Sequence, residues 1–341
     1  MSSKLNFSRH PCFNANVKGR YGRIHLPVAP LCNVSCNYCN RKYDCVNESR
    51  PGVASAILTP AQALEYMEKV LEVESRITVA GIAGPGDAFA NPSESLETLG
   101  LIRARFPEML LCVASNGLGI APYIADLADL EVSHVTITVN AVNPYIGQMI
   151  YAWVRDGRVI YRGLKAAQLL LGRQIEAIAA LRAKGIVVKV NTIVIPGVND
   201  RHVAQVAAKM ASLGVEFLNC MPMCPNADTQ FANIPEPTAE AMTGIRNEAR
   251  AYLPQISHCM RCRADAVGLL NHDRSEEFRG CLSACSALAS GAGNRPLAAA
   301  EIAEGILLNQ DRDASCCFRS NPEEHKGITQ TGHVSQGRSA Q

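Results

Sequence analysis

The sequence contains no apolar run that approaches the roughly 18 residues needed to cross a membrane. Its first ten residues, MSSKLNFSRH, also lack the apolar stretch of a secretory signal. We therefore expect a cytoplasmic protein that makes no contact with a membrane.

The chain also lacks an excess of charge of either sign. It carries 33 Lys and Arg against 31 Asp and Glu, and its formal net charge is +2. This balance predicts neither a basic surface for nucleic acid nor an acidic tail. The 341 residues are 48% hydrophobic, which suits one large α/β domain with extensions, or two domains.

Cysteine, in contrast, is abundant. Fourteen cysteines without an export signal indicate metal or redox chemistry in a reducing compartment rather than disulfides. Cys32, Cys36 and Cys39 form a CxxxCxxC motif, and the aromatic Tyr38 precedes the last of them. Three such thiolates can hold three irons of a 4Fe-4S cluster and leave the fourth open. Zinc is the alternative, but zinc sites favour cysteine pairs that complete a tetrahedral set.

Strand and helix signals alternate after about residue 21. Strands are predicted at Arg23–Val28, Ile77–Ile82, Leu110–Ala114, Val135–Val139, Ile186–Ile195 and Val215–Met221. Helices are predicted at Pro60–Glu74, Ser93–Phe106, Pro122–Leu130, Ala166–Lys184 and Asp200–Leu213. Continuously apolar strands that alternate with helices are typical of a parallel sheet that curls into a complete or partial barrel.

We expect four segments along the chain. They are an arm (1–20), the barrel (21–254), a segment with the pair Cys259 and Cys262 (255–286), and an Ala/Gly-rich to polar tail (287–341). The end of the tail has little apolar content and is expected to be partly disordered.

Several distinctive residues lie where the predicted strands end, which is where barrels of this kind place their chemistry. They are Gly84, Gly86, Asp87, Ser115, Asn116, Thr138, Asn140, Asn191 and Met221. Each alone is more often a turn, capping or packing residue. As a set around one barrel mouth, together with Tyr38 of the cysteine motif, they predict residues that contact a cofactor, and the glycines allow close approach.

The remaining cysteines suggest further metal sites. Cys12, Cys259 and Cys262 would form one three-thiolate set if the arm folds back over the barrel, and His25, Cys45 and Cys112 would form another. Other interpretations stay open. Cys112 alone is typical of a buried apolar residue, His25 of a hydrogen-bonded core histidine, and the cysteine pair with His258 of a zinc site.

The three-cysteine motif with its aromatic resembles that of the radical S-adenosylmethionine (SAM) superfamily. The resemblance implies an α/β fold, a partial (β/α)6 TIM-like barrel, with extensions that cover its mouth. It also implies that SAM chelates the open iron and is cleaved by one electron to methionine and a 5′-deoxyadenosyl radical. The sequence departs from the Gly-Gly-Glu-Pro motif of many members, because Asp87 and Ala88 follow Gly86.

A closer resemblance covers residues 10–280. The chain looks like the NifB family of nitrogenase cofactor maturases in the runs HPCF (10–13), APLCNVSCNYCNRKYDC (29–45), NESRPG (47–52), GIAGPGD (81–87), LCVASNG (111–117), HVTITVN (134–140), IPGVND (195–200) and HCMRCRADAVG (258–268). Some members carry a C-terminal NifX-like domain, for which too few residues follow here, so we expect a stand-alone form.

This resemblance implies that two 4Fe-4S clusters are substrates, one bound by Cys12, Cys259 and Cys262 and the other by His25, Cys45 and Cys112. They fuse around a carbide derived from SAM, with an added sulfur, into an 8Fe-9S-C cofactor precursor. Expected partners are an iron–sulfur cluster donor, a cofactor carrier and an electron donor. Another radical SAM enzyme with auxiliary clusters, or a non-catalytic iron–sulfur scaffold, remains the alternative. No role is assigned to Cys220, Cys224, Cys281, Cys285, Cys316 or Cys317.

Overall fold

The computed structural model describes residues 5–48 and 52–288. The strands in this part of the chain are β1 (Gly22–His25), β2 (Val34–Cys36), β3 (Ile77–Ile82), β4 (Leu110–Ser115), β5 (Val132–Thr138), β6 (Tyr151–Asp156), β7 (Val159–Tyr161), β8 (Val187–Val194), β9 (Phe217–Pro222), β10 (Val267–Leu269) and β11 (His272–Asp273). The helices are α1 (Pro60–Val73), α2 (Pro92–Arg105), α3 (Ile124–Asp129), α4 (Pro144–Ile150), α5 (Gly163–Ala183), α6 (Val203–Ser212), α7 (Ala239–Arg250) and α8 (Ser275–Ser286).

Six parallel strands form the centre of the fold, in the order β1-β3-β4-β5-β8-β9. The strands β3 and β5 are buried along their whole length, as expected for strands of a parallel sheet with both faces covered. The α/β fold and the six strands predicted from the sequence are therefore confirmed. Within the described residues, no helix combines the length and the apolar character that crossing a membrane requires.

Residues 141–165, which received no prediction, form α4, β6 and β7. A second, antiparallel sheet has the order β2-β6-β7, and it pairs Ser35 with Trp153 and Cys36 with Tyr151. Short strands with half-exposed residues carry a weak periodic signal, so the sequence pattern missed them. Because β2 pairs with β6, the part of the three-cysteine motif that includes Cys36 lies on a strand rather than on a free loop.

The arm lies away from the barrel mouth, which corrects that part of the prediction. In the arm, the Arg9 carbonyl accepts a hydrogen bond from Thr78 at the start of β3, and the Phe13 ring contacts Phe217 at the start of β9. The arm therefore covers the amino-terminal ends of the strands, at the opposite end from the mouth. In this position His10 is buried and Phe13 is half-buried.

The segment after α7 runs along the open side of the sheet. Ile256 donates a backbone hydrogen bond to Leu218 on the outer edge of β9, and β10 pairs antiparallel with the outer edge of β1. The two edge strands thus gain partners for backbone groups that would otherwise lack them. The same segment does reach the barrel mouth, where Arg261 donates to the carbonyls of Pro222, at the end of β9, and Val46. Our prediction for the tail falls on residues outside the described part of the chain from residue 289 onward.

Glu74 fastens this segment to the barrel. Its carboxylate accepts bonds from Arg76 Nη2 at 2.6 Å and from Arg274 Nη1 at 3.1 Å. The hydrogen bonds from Arg76, together with those from Arg274, lower the pKa of Glu74 to about 2. A depressed pKa in the folded state adds stability above the unfolded pKa, which is lost as the pH falls towards 2.

We therefore expect the Glu74→Gln variant to unfold a few degrees below the wild type at pH 7. The difference in melting temperature should shrink between about pH 5 and about pH 2. Thermal denaturation followed by circular dichroism across this range measures it. A difference that stays constant with pH would show that the charge of Glu74 contributes nothing.

Candidate functional site

Cys32, Cys36 and Cys39 all border one cavity of about 480 Å³ at the carboxyl ends of the strands, which we call the first cavity. Their loop is held close to the backbone that follows β3. A side chain on Gly86 would place its Cβ only 2.1 Å from the Leu31 carbonyl oxygen, and the Gly86 amide donates to Ala29 at 2.6 Å. Glycine at 86 is therefore required for this docking.

Burial keeps the three thiols protonated when no metal is bound. Burial, and then the nearby Asp87, raise the pKa of Cys32 to about 12, and burial also raises the pKa values of Cys36 and Cys39. Such thiols ionise when bound metal supplies positive charge. Among the described residues, no three His, Cys, Asp or Glu side chains converge on one ion. The donor set thus fits a cluster, in which each thiolate takes a different iron, better than a single zinc ion.

Tyr38 and Asn140 border neither cavity and lie behind the cysteine loop. The Tyr38 hydroxyl donates to Asn47 Oδ1 at 2.5 Å and accepts from Asn140 Nδ2 at 2.7 Å. Asn140 Oδ1 in turn accepts the amide of Ile193 at 2.8 Å. Both side chains were expected to contact a cofactor. The structure instead gives them the task of bracing the loop against β5 and β8.

Asp87 organises the next strand end. Its carboxylate accepts the Asn116 amide at 2.6 Å and the Ser115 hydroxyl at 3.2 Å. These three residues and Thr138 border the first cavity, as expected for residues that contact a cofactor. Gly84 does not border it, and its φ of +119° serves to turn the chain after β3. Burial raises the pKa of Asp87.

A second cavity, of about 690 Å³, lies inside the barrel. It collects five of the six predicted auxiliary ligands from separate parts of the chain: Cys12, His25, Cys112, Cys259 and Cys262. The imidazole of His25 is oriented by a 2.9 Å contact between Nδ1 and the Arg263 carbonyl. Burial lowers the pKa of His25 to about 4, and the charge of Arg23 acts in the same direction, so the imidazole is neutral.

Cys45 is the exception. It borders the first cavity, and its amide donates to the Pro85 carbonyl at 2.8 Å. Burial, followed by the nearby Cys39 and Cys32, raises its pKa. Cys45 therefore borders a different cavity from His25 and Cys112, with which the sequence grouped it. Its backbone hydrogen bond to Pro85 holds it beside the cysteine loop.

The wall between the two cavities includes Glu48 and Ala114, which border both. The Glu48 carboxylate accepts from Thr138 Oγ1 at 2.7 Å and from Asn191 Nδ2 at 3.0 Å, and burial raises its pKa to about 7. Sequence reasoning did not single out Glu48. Met221 and Asn191 border the second cavity and not the first, so Met221 does not lie in the first cavity against bound SAM, where we had expected it.

Two cations inside the barrel were also missed. Arg23 in β1 is 1% exposed and donates to Cys262 Sγ from both Nε and Nη2, at 3.2 and 3.1 Å. Lys189 in β8 is buried and borders the second cavity. A charged residue within an otherwise apolar strand is the signal that could have revealed both, because such residues are rarely buried without a partner.

The model of the radical SAM superfamily matches residues 26–210 of the chain. The FeMo cofactor biosynthesis protein NifB of Chlorobaculum tepidum is 52% identical over 307 residues, which are 90% of this chain and 72% of that protein. NifB of Klebsiella pneumoniae is 44% identical over 79% of this chain, which spans only 58% of that protein. The crystal structure of Streptococcus suis SuiB bound to S-adenosylmethionine has a TM-score of 0.50 at 9% identity, over 71% of this chain and 52% of that one. At this identity, the likeness concerns the fold alone.

Proposed function

Because the chain belongs to the radical SAM superfamily and to the NifB family within it, we propose that it builds a precursor of the nitrogenase FeMo cofactor. The proposed reaction fuses two 4Fe-4S substrates around a carbide from SAM, with one added sulfur, into an 8Fe-9S-C product. The observation that carries the proposal is the second cavity, where five predicted ligands from distant segments meet beside the cysteine loop. A radical SAM enzyme that binds no iron–sulfur cluster besides its own has no need of such a ligand set.

In the first cavity, Cys32, Cys36 and Cys39 would hold the resident 4Fe-4S cluster. When bound, this cluster supplies an open iron for SAM and the electron that cleaves it. The protein's own contribution is to fix the loop. Pairing of β2 with β6 positions Cys36, and Asp87 positions Ser115 and Asn116 on the opposite wall.

In the second cavity, Cys12, Cys259 and Cys262 would bind one substrate cluster, and His25 and Cys112 the other, with Cys45 reaching it from the neighbouring cavity. The substrates would then be separated from the reactive groups of the first cavity by a wall that includes Glu48 and Ala114. A histidine ligand suits a substrate that must leave, since a neutral imidazole is displaced more easily than a thiolate. A cluster donor, a cofactor carrier and an electron donor are the partners this reaction requires.

The test is anaerobic incubation of the reconstituted protein with SAM and dithionite. We expect about twelve irons per chain, from three 4Fe-4S units, and both deoxyadenosine and S-adenosylhomocysteine as products. An iron content near four would contradict the three-cluster arrangement. Iron without either nucleoside product would favour a scaffold, and deoxyadenosine alone would favour a different radical SAM reaction.

A further inference from the structure

Lys189 is a buried cation without a hydrogen-bond acceptor among the residues that the structure describes. Its side chain enters the second cavity from β8, and the residue is 9% exposed. Its ammonium lies 5.3 Å from the centroid of the Phe13 ring. Three N–H donors therefore face the cavity, although burying an unpaired charge is unfavourable.

Arg23, the other cation of this cavity, is already engaged. Besides Cys262, its guanidinium donates to the Gly268 carbonyl at 2.6 Å and to Asp273 at 3.3 Å. Lys189 has no comparable set of acceptors in the described residues, so its charge is available to a molecule inside the cavity.

The chemistry of the cavity indicates which molecule this is. A 4Fe-4S cluster held by three thiolates carries net negative charge, and hydrogen bonds to its sulfurs are a common means of stabilising it. We propose that Lys189 binds the iron–sulfur substrate of the second cavity by donating charge-assisted hydrogen bonds to its sulfides. This inference rests on the proposed function and adds a substrate-binding residue to it.

The test compares reconstituted full-length protein with its Lys189→Met and Lys189→Arg variants. The readout is the rate at which a ferrous-iron chelator removes protein-bound iron. Loss of a charge-assisted hydrogen bond is expected to weaken binding of the iron–sulfur substrate by about ten- to hundredfold. We expect Lys189→Met to release a fraction of about four irons at least about tenfold faster, and Lys189→Arg to restore slow release. Lys165→Met, which removes an exposed lysine from α5, should match the wild type.

A second measurement separates substrate binding from a structural role. In cluster-free protein, Lys189→Met should melt at the same temperature as the wild type or higher, because it removes an unpaired buried charge. A lower melting temperature, or wild-type iron release, would overturn the proposal for Lys189 and leave the proposed function standing. If the wild type itself holds only about four irons, the proposed function fails, and the role of Lys189 fails with it.

Discussion

Replacing Cys36 with alanine is expected to abolish the reductive cleavage of SAM. Cys36 is buried, its strand pairs with β6, and Asn47 Nδ2 lies 3.8 Å from its sulfur, so the fold holds this thiol in a fixed position beside Cys32 and Cys39. Loss of a first ligand should exceed the ten- to hundredfold effects typical of outer-shell changes, and we expect a fall of more than about a hundredfold. The rate of deoxyadenosine formation with SAM and dithionite measures it.

Cys285→Ala is the matched control for this experiment. Cys285 is also a buried cysteine, but it lies on α8 and borders neither cavity. This variant should cleave SAM at the wild-type rate. Substantial deoxyadenosine formation by Cys36→Ala would show that the three-cysteine loop does not hold the cluster.

Replacing Cys112 with alanine should uncouple SAM cleavage from formation of the product. Cys112 lies within β4 and faces the second cavity, whereas the three-cysteine loop borders the first. We therefore expect deoxyadenosine to form, while bound iron falls from about twelve towards about eight and no 8Fe-9S-C product appears. Electron paramagnetic resonance and iron analysis on the same sample distinguish these effects.

Cys220→Ala is the control for Cys112. Cys220 is buried in β9, the sixth parallel strand, where its thiol donates to Gln255 Oε1 at 3.2 Å outside both cavities. It should give the product at the wild-type yield. If Cys112→Ala also gave that yield, Cys112 would not be a substrate ligand.

Local patterns predicted much of the fold. Thr59 as the N-cap and the proline at position 60 predict where α1 begins, and the structure shows the Thr59 cap, with Gln62 completing a capping box. The apolar run Ile77–Ile82 predicts β3 with its bounds unchanged. The strands β2, β6 and β7 escaped because their stability depends on pairing between distant segments, which no single run of residues expresses.

The predicted site residues also fall into two groups, those that are close in the chain and those that only the fold brings together. Cys32, Cys36 and Cys39 are close in the chain, so covalent connection alone keeps them together, and their spacing was sufficient to predict a shared site. Cys12 and Cys262 are far apart in sequence and face one cavity only because the arm packs beneath the barrel while the later segment pairs with β1. Sequence could nominate them as ligands but could not establish that they meet.

The sequence by itself therefore determined the α/β class, the six parallel strands and the three-cysteine loop, since each depends on neighbouring residues or regular periodicity. Only the tertiary structure decided that Cys45 faces the first cavity, that Glu48 lies in the wall shared by both, and that Lys189 faces the second beside the Phe13 ring, with no hydrogen-bond acceptor among the described residues. Those facts depend on which distant segments of the chain pack against one another and bury the side chains between them. Burial then sets the charge and hydrogen bonding of each side chain, which no spacing along the chain records.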